Sequence, residues 1–522
     1  PDIFVKAAED MGFHPSQCLM VEDAISGVKA GKKGNFSCVI AVARDDNRSD
    51  LLRFGGDFVV SDLKEVKWKD LVEWYDKKLY EDHWHLRYHG FAQSEEKLRE
   101  TLTTVGNGYF ATRGCFENER TYKDIHYPGT YIAGLFNKVP TVIHDKKIYN
   151  NDFVNAPNWL RIDIKIGEGT YLDVLKTKIH SYYHELDMQN AIMRRVIKFE
   201  DDFGRITTIE SERFASMKNK HLAMLRFTIT PHNYYDTVTI RSFLDGTVIN
   251  YGVARYRSLS SNHLDAKEQQ VRNRNLFLQV QTNQSKVNIY MHGRHRLFRE
   301  GKEFHAEGRA EQTLEAVKQK YTFDVRQNKP VSLEKTVLIT TSKDQNLNSP
   351  SGDGEEMLKT TKDFAEEARL HREQWHKLWD MADFKIQGDR FAQKAVRLHI
   401  YHLLVTASPH NKHLDVGIPA RGLHGEGYRG HIFWDEMYVL PFYNLHFPEI
   451  SKSDLMYRYR RLKAAKEDAR EHGYKGAMFP WQSADDGHEE TQMIHYNPVS
   501  GKWDPDLSHL QRHVSLAIAV NI

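Results

Sequence analysis

Arg421, His424, Glu426, Tyr428, His431, Trp434, Asp435 and Glu436 all fall within the stretch Leu414–Phe447. Four glycines between Gly422 and Gly430 make its first half a poor helix, because each costs about 1 kcal/mol in a helix interior. From Ile432 to Leu445 the spacing reads as a helix that begins Phe-Trp-Asp-Glu. A polar loop therefore feeds an aromatic–acid pair. An indole offers a flat apolar face with one N–H donor, and a neighbouring carboxylate accepts strong hydrogen bonds. A sugar ring has an apolar C–H face and a rim of hydroxyls, so Trp434 with Asp435 supplies what a pyranose needs. Taken alone, the pair equally describes a buried aromatic beside a helix-start acid.

The same loop contains Gly425-Glu-Gly427-Tyr-Arg-Gly430, a match to G-x-G-x-x-G. A dinucleotide site needs that pattern between a buried strand and a helix. The preceding residues, Asp415 to Leu423, hold a Pro and Gly but no strand run, so nucleotide binding is excluded. Phe479-Pro-Trp-Gln482 and Gly487-His-Glu-Glu490 form a second aromatic–acid loop, in which Trp481 is a candidate second sugar platform. Glu489 and Glu490 read as solvated loop charges. His509 and His513 are expected on one face of a last helix, His509 to Ile522, four residues apart.

The elements that position these residues divide the chain. At 522 residues it is too long for one core. Residues 1–75 read as a βαβ unit: a helix from Pro1, a strand Cys18–Val21 running into Glu22-Asp23, a helix Ala24–Lys33 and a strand Cys38–Ala43. Acids at that strand end suit Mg2+. Charges crowd Lys64 to Glu81 and mark a boundary. Residues 76–345 alternate apolar and polar in stretches such as Thr237–Phe243, Leu276–Gln281, Val287–Met291, Thr322–Val325 and Val331–Ile339, which predicts a large antiparallel β-sandwich. Within residues 346–382, Asn346–Glu355 reads as a linker and Glu356–Trp379 as one amphipathic helix. Residues 383–522 read as all-α, with helices Asp389–Ala407 and Ser451–His472. The opening at Pro1 and the stop at Ile522 both fall in mid-pattern and look cut.

Charge narrows the partners. The 73 basic and 71 acidic residues leave a net charge of +2, which favours neither nucleic acid nor a membrane surface. No run approaches the roughly 18 apolar residues of a membrane span. Cys18, Cys38 and Cys115 show no metal spacing, and reduced thiols in a cytoplasmic protein are the simplest account.

Ala420-Arg-Gly-Leu-His-Gly-Glu426, His431-Ile-Phe-Trp-Asp435, Met478-Phe-Pro-Trp481 and His509-Leu-Gln-Arg-His513 together resemble the catalytic domain of glycoside hydrolase family 65. Trp84–Phe91, Thr104–Gly114 and Tyr127–Gly134 resemble that family's N-terminal sandwich. The resemblance implies an (α/α)6 barrel, incomplete here, after the sandwich. It implies a family of maltose, trehalose and kojibiose phosphorylases with a few hydrolases. Sugar binding is then expected at Trp434, Asp435, Arg421, His424, Glu426, Glu436 and Trp481, with no cofactor, a disaccharide and inorganic phosphate as substrates, and pairing as a homodimer. The family's general acid, a Glu in a Pro-Asn/Asp-Glu-Tyr motif, has no match between Glu436 and Ile522. Inverting phosphorolysis to β-glucose 1-phosphate, inverting hydrolysis by an α-glucosidase, and a non-catalytic carbohydrate-binding fragment therefore stay open. Pro1-Asp-Ile-Phe and Cys18–Gly34 resemble the C-terminal part of haloacid-dehalogenase-type β-phosphoglucomutases, which implies Glu22 and Asp23 as a Mg2+ pair. That family's Asp-x-Asp-Gly nucleophile is missing, so the segment is expected to be inert.

Overall fold

The computed structural model describes residues 2–44, 46–81, 83–118, 125–143, 146–272, 275–386, 390–497 and 499–522. Three regions follow one another. The first is a three-stranded parallel sheet of Leu19–Glu22, Cys38–Val42 and Phe58–Val60 in that order. The strand Cys38–Val42 is apolar throughout because helices cover the sheet. Helices Asp2–Asp10, Ile25–Lys33 and Arg48–Arg53 accompany it, and Met20, Val28, Val39, Ala41 and Leu51 form its core. The charge-rich boundary stretch is itself helical over Trp68–Glu81.

The second region is a sandwich. One sheet runs from Leu264–Arg272 through Asn288–Arg299, Val331–Thr341 and Leu222–Pro231 to Lys178–Asp187 and His85–His89. Facing it are Ile162–Ile166, Asp236–Asp245, Ala316–Val325 and Gly308–Gln312 in a second sheet. The five stretches expected as strands within residues 76–345 lie in these two sheets. Leu225, Phe227 and Ile229 are buried while Arg226 and Thr228 are only partly so, the period of two that a sheet with one core face requires. They share a core with Ile162, Ile164, Val238 and Ile240 of the facing sheet. A third, four-stranded sheet contains the long hairpin Thr130–Ile143 and Lys146–Asn155, which leads toward the helices.

The third region is helical and packs on that third sheet. Trp375, Trp379, Tyr401, Leu404 and Tyr443 share one core with Val105, Ala111, Tyr131 and Phe153. Several expected helices are divided. Glu356–Trp379 is two, Pro350–Thr360 and Phe364–Ala382, because the Asp363 side chain accepts from the Glu366 N–H and starts a new helix. The expected linker is therefore partly helical. Ser349 caps it and Pro350 opens it, while Gly354 sits where a Cβ would meet His292 at 2.9 Å. Ser451–His472 breaks at Arg461 into Pro448–Arg460 and Leu462–Glu471. The helix expected from Asp389 runs over Arg390–Thr406, and Asp389 lies outside the described residues. No described helix is long and apolar enough to cross a membrane.

Candidate functional site

A cavity of about 1140 Å³ opens where the sandwich meets the helical region. The glycine loop builds one wall. Gly427–Gly430 is a short 3-10 turn with Tyr428 and Arg429 both left-handed, at φ 52° and 57°. Side chains there cost energy that neighbouring contacts must offset. The turn neither follows a strand nor opens a helix directly, consistent with the exclusion of a nucleotide loop. The helix starts at Glu436, later than Ile432, so Trp434 and Asp435 stand at its mouth rather than inside it.

Trp434 and Trp481 form an aromatic corner, with ring centroids 6.0 Å apart and planes 32° apart. Their loops are strapped together by an antiparallel bridge. Ile432 N–H donates to the Ser483 carbonyl at 2.9 Å, and Ser483 N–H returns to Ile432 at 3.0 Å. Phe433 meets Trp481 edge-on at 5.6 Å, and His513 lies 5.1 Å from both indoles. Half-burial raises the pKa of Asp435, against the opposing charge of Arg421. Arg421 is itself exposed, with its guanidinium 5.1 Å from the Tyr428 ring. Trp434, Asp435, Arg421 and Trp481 all line the cavity.

His424, Glu426 and Glu436 do not line it; each is spent behind the wall. His424 Nε2 shares a 2.5 Å hydrogen bond with His402 Nδ1, and burial lowers its pKa to about 4. Glu426 accepts hydrogen bonds from the Tyr127 hydroxyl, from the Tyr131 hydroxyl at 3.0 Å and from the Gly252 N–H at 2.9 Å. Burial nevertheless pushes its pKa up to about 7. Glu436 Oε2 receives Arg458 Nε and Nη2 at 3.1 and 2.9 Å in a buried pair. Burial raises the Glu436 carboxyl against the opposing Arg458 charge and a hydrogen bond from Asp454, while burial and the charge of Glu436 raise Asp454 well above the ordinary carboxylate range, so the proton of the pair rests on Asp454. Arg113 and Tyr131 also lie behind the wall: Arg113 Nη1 donates to the His424 carbonyl at 2.9 Å.

Other wall residues gave no local signal. Arg255, Tyr256 and Arg257 come from a sandwich loop. Glu490 is buried, not solvated, and takes hydrogen bonds from Lys138 Nζ and Asn151 Nδ2, both at 3.0 Å. Glu489 is likewise engaged: its oxygens accept from the backbone N–H groups of Trp481 and Gln482 at 2.7 and 3.1 Å and so shape that loop. Gln482 reaches His431 Nδ1 at 3.0 Å, while His431 Nε2 lies 2.7 Å from the Asn151 carbonyl. Burial keeps that imidazole neutral, with a pKa near 4. The Gln482 atom there is Oε1, and a neutral ring donates from one nitrogen only, so it serves either Gln482 Oε1 or the Asn151 carbonyl. The far rim is the hairpin Ile494–Asn497 and Lys502–Pro505. His509 and His513 do not share a helix face. The chain is extended at Gln511, and the last helix begins at Val514 with His513 as its cap.

In the α/β region Glu22 and Asp23 serve their own loop. Glu22 Oε2 accepts from the Asp23 and Ala24 N–H groups, both at 3.2 Å. Asp23 Oδ2 lies 2.9 Å from Arg44 Nε. Among the described residues, Glu100, Cys115 and His126 bring ligand atoms within 4.8 Å of one another. Glu100 is already matched there by His126 at 2.6 Å, by the Tyr127 N–H at 3.1 Å and by Arg113 at 3.5 Å, and its pKa is held near 2.

Comparison with known proteins places this geometry. Residues 86–378 match "Glycosyl hydrolase family 65, N-terminal domain" and residues 397–522 match "Glycosyl hydrolase family 65 central catalytic domain". An uncharacterized glycosyl hydrolase of Mycobacterium tuberculosis is 40% identical over 442 residues, covering 85% of this chain and 33% of its own length. A kojibiose phosphorylase of Caldanaerobacter subterraneus subsp. tengcongensis is 34% identical over 436 residues, 80% of this chain and 54% of its own. A trehalose 6-phosphate phosphorylase of Lactococcus lactis subsp. lactis is 34% identical over 427 residues, 81% and 53% respectively. The chain thus spans a third to about half of the length of these relatives. A solved structure from the human microbiome shares the fold, with a TM-score of 0.69 at 21% identity over 78% of this chain and 53% of its own.

Proposed function

Because the chain belongs to glycosyl hydrolase family 65, we propose that its cavity holds the glucosyl unit of an α-linked disaccharide for transfer to inorganic phosphate. The observation that carries this reading is the Trp434–Trp481 corner with Asp435 at its edge. The indoles cover the apolar face of the ring, and Asp435 accepts from its hydroxyls. Arg421, exposed beside them, supplies positive charge to an anion. In an inverting phosphorolysis, phosphate attacks the anomeric carbon from the face opposite the leaving oxygen, and a general acid protonates that oxygen. The products are β-glucose 1-phosphate and a free sugar. We assign no residue of this chain to the acid: Glu426 and Glu436 are tied up behind the wall.

In this reading residues 76–345 are the family's sandwich, residues 346–382 connect it to the helices, and residues 383–522 supply part of an (α/α)6 barrel in a cytoplasmic enzyme. Residues 1–75 are read as a haloacid-dehalogenase-like piece, supported by the parallel order of its strands. Mg2+ does not fit there as the side chains stand. Asp23 is paired with Arg44, and Glu22 is turned onto its own backbone amides and lies against Gly27.

Incubation of the whole protein that carries this chain with kojibiose, maltose and trehalose, with and without phosphate, tests the proposal. Phosphate-dependent consumption that yields β-glucose 1-phosphate is the expected result. Equal glucose release without phosphate would make the activity a hydrolysis and refute it.

A further inference from the structure

The cavity has two walls that come from distant parts of the chain. The sandwich contributes the loop Tyr251–Leu259, of which Ala254 to Leu259 face the cavity. The helical region contributes Arg421 and the run from Tyr428 to Asp435. The sandwich loop is pinned to its own domain at both ends. Asn250 Nδ2 donates to the Phe153 carbonyl at 2.8 Å, and Ser260 N–H donates to Thr141 Oγ1 at 2.8 Å. Between those pins Arg255 and Arg257 are exposed.

Glu426 reaches across to this loop. One carboxylate oxygen takes the Gly252 N–H at 2.9 Å, and the other is fixed by the hydroxyls of Tyr127 and Tyr131. Fixed at one end by two rigid phenols, the carboxylate is an arm of set length. Two residues further on, the chain turns left-handed at Tyr428 and Arg429, whose side chains line the cavity. The Arg429 guanidinium then lies 5.1 Å from the Tyr256 ring, a second contact between the walls. Tyr127 also holds the start of the sandwich loop, with its hydroxyl accepting from the Tyr251 N–H at 2.9 Å, and Glu426 carries that anchorage over to the glycine loop.

We propose that Glu426 is a positioning residue that latches the loop Tyr251–Leu259 to the loop Gly422–Gly430 and sets the gap across which the sugar is held. The part of this that concerns sugar rests on the functional reading above; the latch itself does not. Glu426→Asp shortens the arm by one methylene and keeps the charge. Glu426→Gln keeps the reach: its carbonyl oxygen can take the Gly252 N–H while its amide donates to the tyrosine oxygens.

The experiment is limited trypsinolysis of the full chain in native buffer, read at Arg255 and Arg257, alongside titration with kojibiose followed by tryptophan fluorescence. Opening-limited cleavage reports how often the loop detaches. Glu426→Asp is expected to speed cleavage at these arginines and to weaken sugar binding, each about tenfold, with Glu426→Gln returning both to within about threefold of wild type. Should Glu426→Asp not fold, Gly252→Ala tests the same contact from the loop side, because its Cβ would sit 2.9 Å from Tyr127 Cε1 and 3.3 Å from Glu426 Oε2. Wild-type cleavage in the Asp or Ala variant overturns the latch. Faster cleavage with unchanged affinity overturns the positioning role. Faster cleavage in a protein whose wild type binds no disaccharide supports the latch and overturns the functional reading instead.

Discussion

Replacing Glu426 by Gln should change how stability depends on pH, in a direction that the structure dictates. Burial holds this carboxyl at a pKa of about 7, against an ordinary value of 4.5. The opposing influences are the hydrogen bonds from Tyr127, Gly252 and Tyr131, which favour the ionised form, while the charge of Asp152 disfavours it. Because the folded value is raised, the folded chain keeps a proton between pH 4.5 and 7 that the unfolded chain has released. Stability from this group is full below about pH 4.5 and is lost as pH rises toward 7. The slope approaches about 1.4 kcal/mol per pH unit, for a total of roughly 3 kcal/mol. Gln carries no such proton. Urea unfolding of both proteins from pH 4.5 to 8, in buffers without phosphate, isolates the effect as the difference between them. The Gln variant should gain on the wild type by roughly 3 kcal/mol across that window, and the difference should level off above about pH 7.5. Other groups, including Asp152 and the buried histidines, titrate in both proteins and cancel to first order. A flat difference would mean that Glu426 is ionised throughout. A difference of opposite sign would mean that the three donors outweigh burial. Either result refutes the reasoning.

Two further outcomes follow from the site and its support. Trp434→Ala and Trp481→Ala should each weaken disaccharide binding by about 1–2 kcal/mol, roughly tenfold, in calorimetric titration, and unchanged affinity in both would exclude the aromatic corner as the sugar platform. Glu436→Ala strands Arg458 inside the protein and should cost about 3–5 kcal/mol in denaturant unfolding. Asp454→Asn should cost less than about 1.5 kcal/mol, because the native carboxyl is already held neutral; a loss as large as that of Glu436→Ala would show that Asp454 is charged.

Much of this architecture was legible because its signals are local. Period-two alternation at Val331–Ile339 marks a strand whatever it pairs with, and Gly422 to Gly430 cannot sustain a helix. Helix continuity was less legible. Glu356–Trp379 keeps its apolar spacing across Thr361–Lys362, and the break is carried by the Asp363 cap together with Arg294 and Glu334 from a distant strand pair, none of which shows in the local pattern. At the other end, Gln511 turns the chain extended and separates His509 from His513, although the i, i+4 spacing remains. Arg255 and Arg257 had no signal of their own, since what makes them wall residues is the hairpin that carries their loop to the helices.

Glu426 shows why a site is harder to read than a fold. Its sequence surroundings, Gly-Glu-Gly beside Tyr and near Trp-Asp, suit an exposed ligand and a buried tether equally well. Glycines let a carboxylate approach a sugar, and they also let the backbone close over a carboxylate turned inward. The deciding partners are Tyr127 and Tyr131, 299 and 295 residues away, and Gly252, 174 residues away. Once those donors are in place, the protonated and ionised carboxyl can both hold the Gly252 N–H, because the second oxygen either donates to a phenol or accepts from it. That tolerance is why Gln should preserve the latch while removing the pH dependence. The two properties come from one side chain, yet they separate under one substitution: reach is kept and the titrating proton is lost. A variant that lost both together would show that the charge, not the length of the arm, holds the walls.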